Sequence, residues 1–270
     1  MGELATLAHE RFIEIGEMSI LVRTDSLDFA RLLEDRYGSF VSAPVPRPAF
    51  ELDIELAPLG SLSEDEDVDV RRESGCWLIQ RGDFRAELNP KTCRGWVRQT
   101  ENPYSIDAVL RILHSLILAE QGGFLVHAAS AVRNGRAYVF AGVSGAGKTT
   151  LASLAPPDVR LLTDEISYVR PRDSGYEAFG TPFAGELARL GENLRAPLAA
   201  LHLLEQGPEN RLEEVSEAEA TQALLRNILF FAHDEELVEM IFQTVCDFVR
   251  RVPVRRLVFT PDARAWELIA

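Results

Sequence analysis

The sequence predicts an α/β fold, with a phosphate-loop core built on a mixed sheet and a small α+β domain ahead of it. Three stretches predict this. Gly142 to Thr149 satisfies the phosphate-loop spacing G-x-x-x-x-G-K-[ST], between an apolar run and an apolar helix start. Phe124 to Ala141, interrupted by Asn134-Gly135, has the form of an antiparallel hairpin feeding that loop. Far upstream, Phe50 to Leu56 alternates apolar and acidic residues, as a half-buried strand does. The expected domains are 1–102 and 103–270.

In the first domain, Phe12 to Val22 reads as one strand, with Phe12, Ile13, Ile15, Ile20 and Val22 as its apolar residues. Ser26 to Tyr37 reads as a helix that Gly38 stops, with Leu27, Phe29, Ala30, Leu32 and Leu33 on its apolar face. Pro44, Pro46 and Pro48 mark a loop. The run Glu64-Asp65-Glu66-Asp67 reads as a solvated turn, with a metal site as the sharper alternative. Cys76 to Arg81, Asp83 to Leu88 and Arg94 to Gln99 read as short strands joined by tight turns. The unit is then mostly antiparallel, carries no catalytic constellation, and suits docking or packing.

In the second domain, Ser105 to Gln121 reads as a strong helix that Gly122-Gly123 ends, and His114 in it reads as a packed or partly exposed helix histidine rather than a ligand. Val159 to Val169 is a strand-like run containing the acids Asp164-Glu165. Ala199 to Glu205 reads as a strand, and Gly207 to Asn210 as a turn. Ser216 with Glu219 forms a capping box that starts a helix. Glu235 to Arg250 is a second amphipathic helix, in which Cys246 packs. Phe230-Phe231 reads as core, Val252 to Phe259 as a last strand, and Pro261-Asp262 as the opening of a short helix. Gly175 to Glu192, rich in glycine, is the candidate mobile substrate loop, with Arg189 or Arg195 available to neutralise phosphate.

The loop's residue types suit an anion. Gly142, Ser144, Gly145, Ala146, Gly147, Lys148, Thr149 and Thr150 would wrap phosphates, because glycines let successive N–H groups point inward. The following helix would add its positive end. Lys148 would reach the β- and γ-phosphates of ATP, and the Thr149 hydroxyl would ligate Mg2+. Asp164 lies sixteen positions after Lys148, which leaves room for one helix and one turn between them. An acid there holds magnesium or accepts a hydroxyl proton. His127 is either a core histidine or a proton-handling group near the phosphates.

Composition sets the bounds. Net charge is −14, from 28 basic and 42 acidic side chains, which argues against a nucleic-acid partner. No apolar run approaches the length of a membrane span, and Glu3, Glu10, Glu14 and Glu17 exclude a signal peptide from the first twenty residues. Three scattered cysteines fit reduced thiols in a cytoplasm. A homo-oligomer is left open.

The ordered set His127-Ala128-Ala129-Ser130-Ala131-Val132, the hairpin into Gly142–Thr150, and Leu161-Leu162-Thr163-Asp164-Glu165 resembles the HPr kinase/phosphorylase family, with its phosphoenolpyruvate-carboxykinase-like fold. Gly180-Thr181-Pro182-Phe183-Ala184-Gly185-Glu186 and the final strand resemble orphan members, including kinases that tailor lasso peptides. The resemblance covers about residues 103 to 270. It implies an ATP- and Mg2+-dependent kinase acting on a serine-type hydroxyl of a peptide, protein or small molecule. It also implies that Lys148 and His127 stand at the phosphates, that Asp164 is metal ligand, general base or both, and that Thr149, Asp164 and Glu165 form the metal set. Thr150 and Glu165 stand where the bifunctional members have glutamate and a second aspartate. The alternative reading is a regulatory module that binds nucleotide without transfer.

Overall fold

The structure is a computed structural model that describes residues 9–59, 67–173, 175–183 and 191–269. Glu64 to Glu66, Ala184 to Glu186, Arg189 and the glutamate at position 3 lie outside the described residues. The chain divides into two units, 1–116 with 231–235, and 117–230 with 236–270.

The first unit opens with a correction. Phe12 to Val22 is not one strand but a hairpin of β1 (His9–Ile15) and β2 (Met18–Thr24), paired from Ile15↔Met18 to His9↔Thr24. Gly16 and Glu17 turn it with φ of 61° and 62°, the left-handed pair that a two-residue hairpin requires. Helix α1 (Leu27–Tyr37) starts where Ser26 Oγ accepts the Phe29 N–H at 3.2 Å. It buries Phe29, Ala30, Leu33 and Tyr37. Then come β3 (Val41–Ser42), β4 (Phe50–Leu56), β5 (Asp69–Glu73), β6 (Cys76–Arg81), β7 (Phe84–Asn89), β8 (Arg94–Gln99) and α2 (Pro103–Glu120). The sheet runs β3-β1-β2-β4-β8-β7-β6-β5, antiparallel except at β2–β4 and β4–β8.

Two buried acids fix this unit. Asp107 accepts from the Tyr37 hydroxyl at 2.7 Å and from the Arg36 guanidinium. Burial first, and then the Asp107 charge, push the Tyr37 hydroxyl far above its usual pKa, so it stays a donor. Asp83 accepts from Ser105 Oγ at 2.6 Å and from Arg81 at 2.7 Å.

The second unit holds β9 (Phe124–Arg133), β10 (Arg136–Ala141), α3 (Lys148–Ser153), β11 (Arg160–Thr163), β12 (Ile166–Arg172), β13 (Gly175–Phe179), β14 (Arg195–Gln206), β15 (Arg211–Glu214), α4 (Glu217–Asn227), α5 (Glu235–Arg251) and β16 (Val254–Phe259). Its sheet is mixed, in the order β10-β9-β12-β13-β14-β16-β15. Strand β10 also pairs in parallel with β14, so the pairing path closes through β9, β12 and β13. Long strands make this possible. β9 pairs with β12 through Phe124–His127 and with β10 and β11 further on. β14 pairs with β13 at its start and with β10 and β16 beyond.

The β9–β10 hairpin forms as the sequence predicts, because Asn134 and Gly135 both adopt positive φ. Ser216 caps α4 by accepting the Glu219 N–H at 3.2 Å. Helix α5 buries Leu237, Ile241, Val245 and Phe248, and the Phe248 ring meets Phe124 and Tyr176 edge-on at 5.1 and 4.9 Å. His114 is fully buried in α2. Phe230 and Phe231 are half-buried rather than core. The expected loop from Gly175 is corrected too: Gly175–Phe179 is β13, since its Tyr176, Ala178 and Phe179 bury against neighbouring strands. No helix among the described residues is long and apolar enough to cross a membrane.

Candidate phosphate-binding site

Strand β10 is buried from Ala137 to Ala141 and delivers the chain to the loop. The loop then curls on itself. Ala146 N–H donates to the Val143 carbonyl at 3.0 Å, and Lys148 Nζ donates back to the Gly142 and Val143 carbonyls at 2.8 and 3.4 Å. Gly147 has φ +102°, and a Cβ there would lie 2.6 Å from the Phe259 ring at the end of β16. Only glycine meets both conditions. Ala146, Leu151, Phe259 and Trp266 belong to the core beneath the loop, and Trp266 Nε1 donates to the Leu151 carbonyl at 3.0 Å. From the far side, Gln206 at the end of β14 donates Nε2 to the Gly145 carbonyl at 2.7 Å.

Helix α3 has only six residues. Few peptide dipoles align in it, so the loop's own N–H groups and Lys148 carry most of any attraction for an anion.

The run from Val159 to Val169 is interrupted where its acids lie. β11 ends at Thr163 and β12 begins at Ile166, so Asp164 and Glu165 lie between the two strands, with the Glu165 carbonyl still accepting the Ala128 N–H at 3.0 Å. Thr163 Oγ1 accepts both the Glu165 and the Ile166 N–H groups at 3.2 Å, which closes the turn. Thr181 Oγ1 donates to the Ile166 carbonyl at 2.8 Å and its N–H donates to Leu162, which ties the Gly-Thr-Pro segment to the acid turn. Gly180 is needed there, because a Cβ would meet the Glu192 carbonyl at 1.8 Å.

The turn aims its second acid at the loop. Glu165 Oε1 lies 3.3 Å from His127 Nδ1, with both side chains about one-third exposed. His127, Glu165, Gln206 and the loop residues Ser144, Gly145, Gly147, Lys148, Thr149 and Thr150 line one cavity of about 520 Å3. Gly142 borders a neighbouring cavity, and Ala146 is buried. Asp164 is 2 % exposed and does not line the cavity. Arg195 lies away from it, paired with Glu177 at 3.5 Å. Sequence reasoning passed over Gln206, whose only signal is its place at a strand end before Gly207-Pro208.

Among the described residues no cluster of three or more His, Cys, Asp or Glu side chains could hold a metal alone. The cavity does present the Thr149 hydroxyl and the Glu165 carboxylate, hard oxygen donors of the kind that hold magnesium alongside a nucleotide's own phosphates.

A family model described as SynChlorMet cassette protein ScmC matches residues 98–270. The chain belongs to the ScmC family. The ScmC match begins in β8 and takes in the whole loop, the His127 strand, the acid turn and β16. No curated protein matches the chain.

Proposed function

We propose that this chain is an ATP- and magnesium-dependent kinase of the HPr-kinase-like type, moving the γ-phosphate to a hydroxyl of a peptide, protein or small molecule. One observation carries the reading: a phosphate loop faces a histidine–carboxylate pair across a single cavity. Loop N–H groups and Lys148 would hold the phosphates. Magnesium, when bound, supplies charge neutralisation, with Thr149 and Glu165 as its protein oxygens. Glu165, oriented by His127, stands at the cavity where a hydroxyl proton must go. Asp164, buried beside it, fits a positioning role better than direct contact. Catalysis of this kind is mostly positioning and electrostatics. The free thiols of Cys76, Cys93 and Cys246 fit a cytoplasmic setting.

The test is a thermal shift with and without Mg-ATP, on wild type and Lys148→Ala. Ligand at about 100 times its Kd adds about 2.7 kcal/mol, or roughly 5–10 °C for a chain of this size. A shift of that order, absent in Lys148→Ala, is the expected result. No shift in the wild type overturns the proposal.

A further inference from the structure

A second cavity, of about 730 Å3, adjoins the first and shares its His127 and Ser144. We propose that this cavity is the acceptor's subsite, and that it takes an uncharged, amide-bearing hydroxyl compound the size of a few peptide residues. The inference rests on the kinase reading above.

In a phosphate loop the lysine reaches the β- and γ-phosphates. Here Lys148 Nζ sits on the Gly142 and Val143 carbonyls, so the γ end of the nucleotide lies at the start of the loop. Gly142, Val143 and Ser144 line the second cavity, whereas Gly147, Thr149 and Thr150 line only the first. The second cavity therefore opens onto the phosphate that is transferred, and the nucleoside lies toward Thr150.

The ionisable groups of the second cavity other than His127 are Glu205, Glu219, Arg226 and Arg256, two of each sign. Arg256 is already held by Glu205 at 3.3 Å, by Glu213 at 3.5 Å and by Glu219. Arg226, the other cation, is exposed, and the four side chains sum to no net charge, so the cavity as a whole does not select a second anion. Gln222 and Asn227 offer amides, which donate and accept in the way a peptide group requires, against an apolar wall that includes Leu203 and Ile228. The volume lies within the range of small-ligand sites.

The acceptor hydroxyl loses its proton to the Glu165–His127 pair, and its oxygen bonds to the γ-phosphorus. The bond from that phosphorus to the β,γ-bridging oxygen breaks, and ADP leaves with the electron pair.

The test uses the full chain, Mg-ATP, and the capped tripeptide acetyl-Gly-Ser-Gly-amide as probe. Gln222→Trp fills the cavity from an exposed position, and Ala223→Phe fills it from a half-buried one. We expect both variants to bind Mg-ATP within about threefold of wild type. We expect the probe to raise ADP release several-fold in wild type, and the variants to lose at least tenfold of that stimulation. A tenfold loss of Mg-ATP affinity in folded variants would show that the nucleoside occupies this cavity, and overturns the inference. Failure of the probe up to 20 mM in a wild type that binds Mg-ATP overturns the proposed acceptor chemistry. A wild type that binds no Mg-ATP sinks the kinase reading first, and this inference with it.

Discussion

His127 Nδ1 and Glu165 Oε1 stand 3.3 Å apart at the point where β9 exchanges one partner strand for another. Below this point β9 pairs with β12, and above it with β11; the two residues between those strands are the acids. The exchange therefore leaves the Glu165 side chain lining the cavity, while Asp164 is buried. The two acids should separate in a transfer assay. Glu165→Gln is expected to lower transfer by about 10²–10⁴-fold, the worth of a positioned proton acceptor, and, because the proposed magnesium site loses a carboxylate oxygen, to weaken Mg-ATP binding by a smaller factor. Asp164→Asn should lower the melting temperature as well as the rate. Equal rates for Glu165→Gln and wild type, measured by acceptor phosphorylation, would return the proton-accepting role to Asp164.

Gln206 pins the loop from outside the motif. Gln206→Ala removes the bond to the Gly145 carbonyl. Because the residue is exposed, the cost to stability should be small, about 0.5–1 kcal/mol. Loop geometry should suffer more. Mg-ATP affinity, read by calorimetry, is expected to fall several-fold, with the melting temperature of the free protein nearly unchanged.

His202 gives the second unit a pH dependence. It is 3 % exposed on β14, stacked on Phe140 at 5.7 Å, and neither ring nitrogen has a hydrogen-bond partner among the described residues. Burial, and then the Arg255 charge, lower its pKa to about 4. In the unfolded chain the value is about 6.5. Between these values the unfolded state binds a proton that the native state refuses. Stability is therefore full above about pH 6.5 and falls as pH drops toward 4, by up to about 3 kcal/mol. His202→Leu removes the orphaned nitrogens and should flatten that slope. Denaturant melts at pH 7 and pH 5 on both proteins measure it; an unchanged slope in the variant would remove His202 as the cause.

Asp107 is the electrostatic anchor of the first unit, accepting from Arg36 and Tyr37 while only 4 % exposed. Asp107→Ala leaves the buried Tyr37 hydroxyl without its acceptor and Arg36 without its partner. The loss should be about 3 kcal/mol. Asp107→Asn keeps one acceptor oxygen and is expected to recover part of it in urea unfolding.

Elements set by neighbouring residues were legible in the sequence, and elements set by distant ones were not. Asn134-Gly135 announces its hairpin because both residues tolerate positive φ, whereas Gly16-Glu17 makes the same turn with a glutamate that seldom signals one. Ser216 and Glu219 mark the start of α4 for the same local reason. The break at Asp164-Glu165 is hidden, because apolar residues continue on both sides and the interruption comes from pairing with β9. In the candidate site, the loop residues and His127 are read from spacing and order. Gln206 and Phe259 reach the loop only through the closure of the sheet, so no window around the motif contains them.

The same closure orders events during synthesis. The loop emerges before its supports: Gln206 lies 61 residues beyond Gly145, and Trp266 lies 115 beyond Leu151. Parallel pairing of β10 with β14, and of β14 with β16, waits for those residues to emerge. Contacts so distant in sequence form slowly. At a translation rate of about 5–20 residues per second, the motif stays without its supports for several seconds or more. A ribosome-bound chain halted before Val254 would carry every motif residue and lack the socket beneath Gly147, so on the proposed function nucleotide capture would report that the sheet has closed.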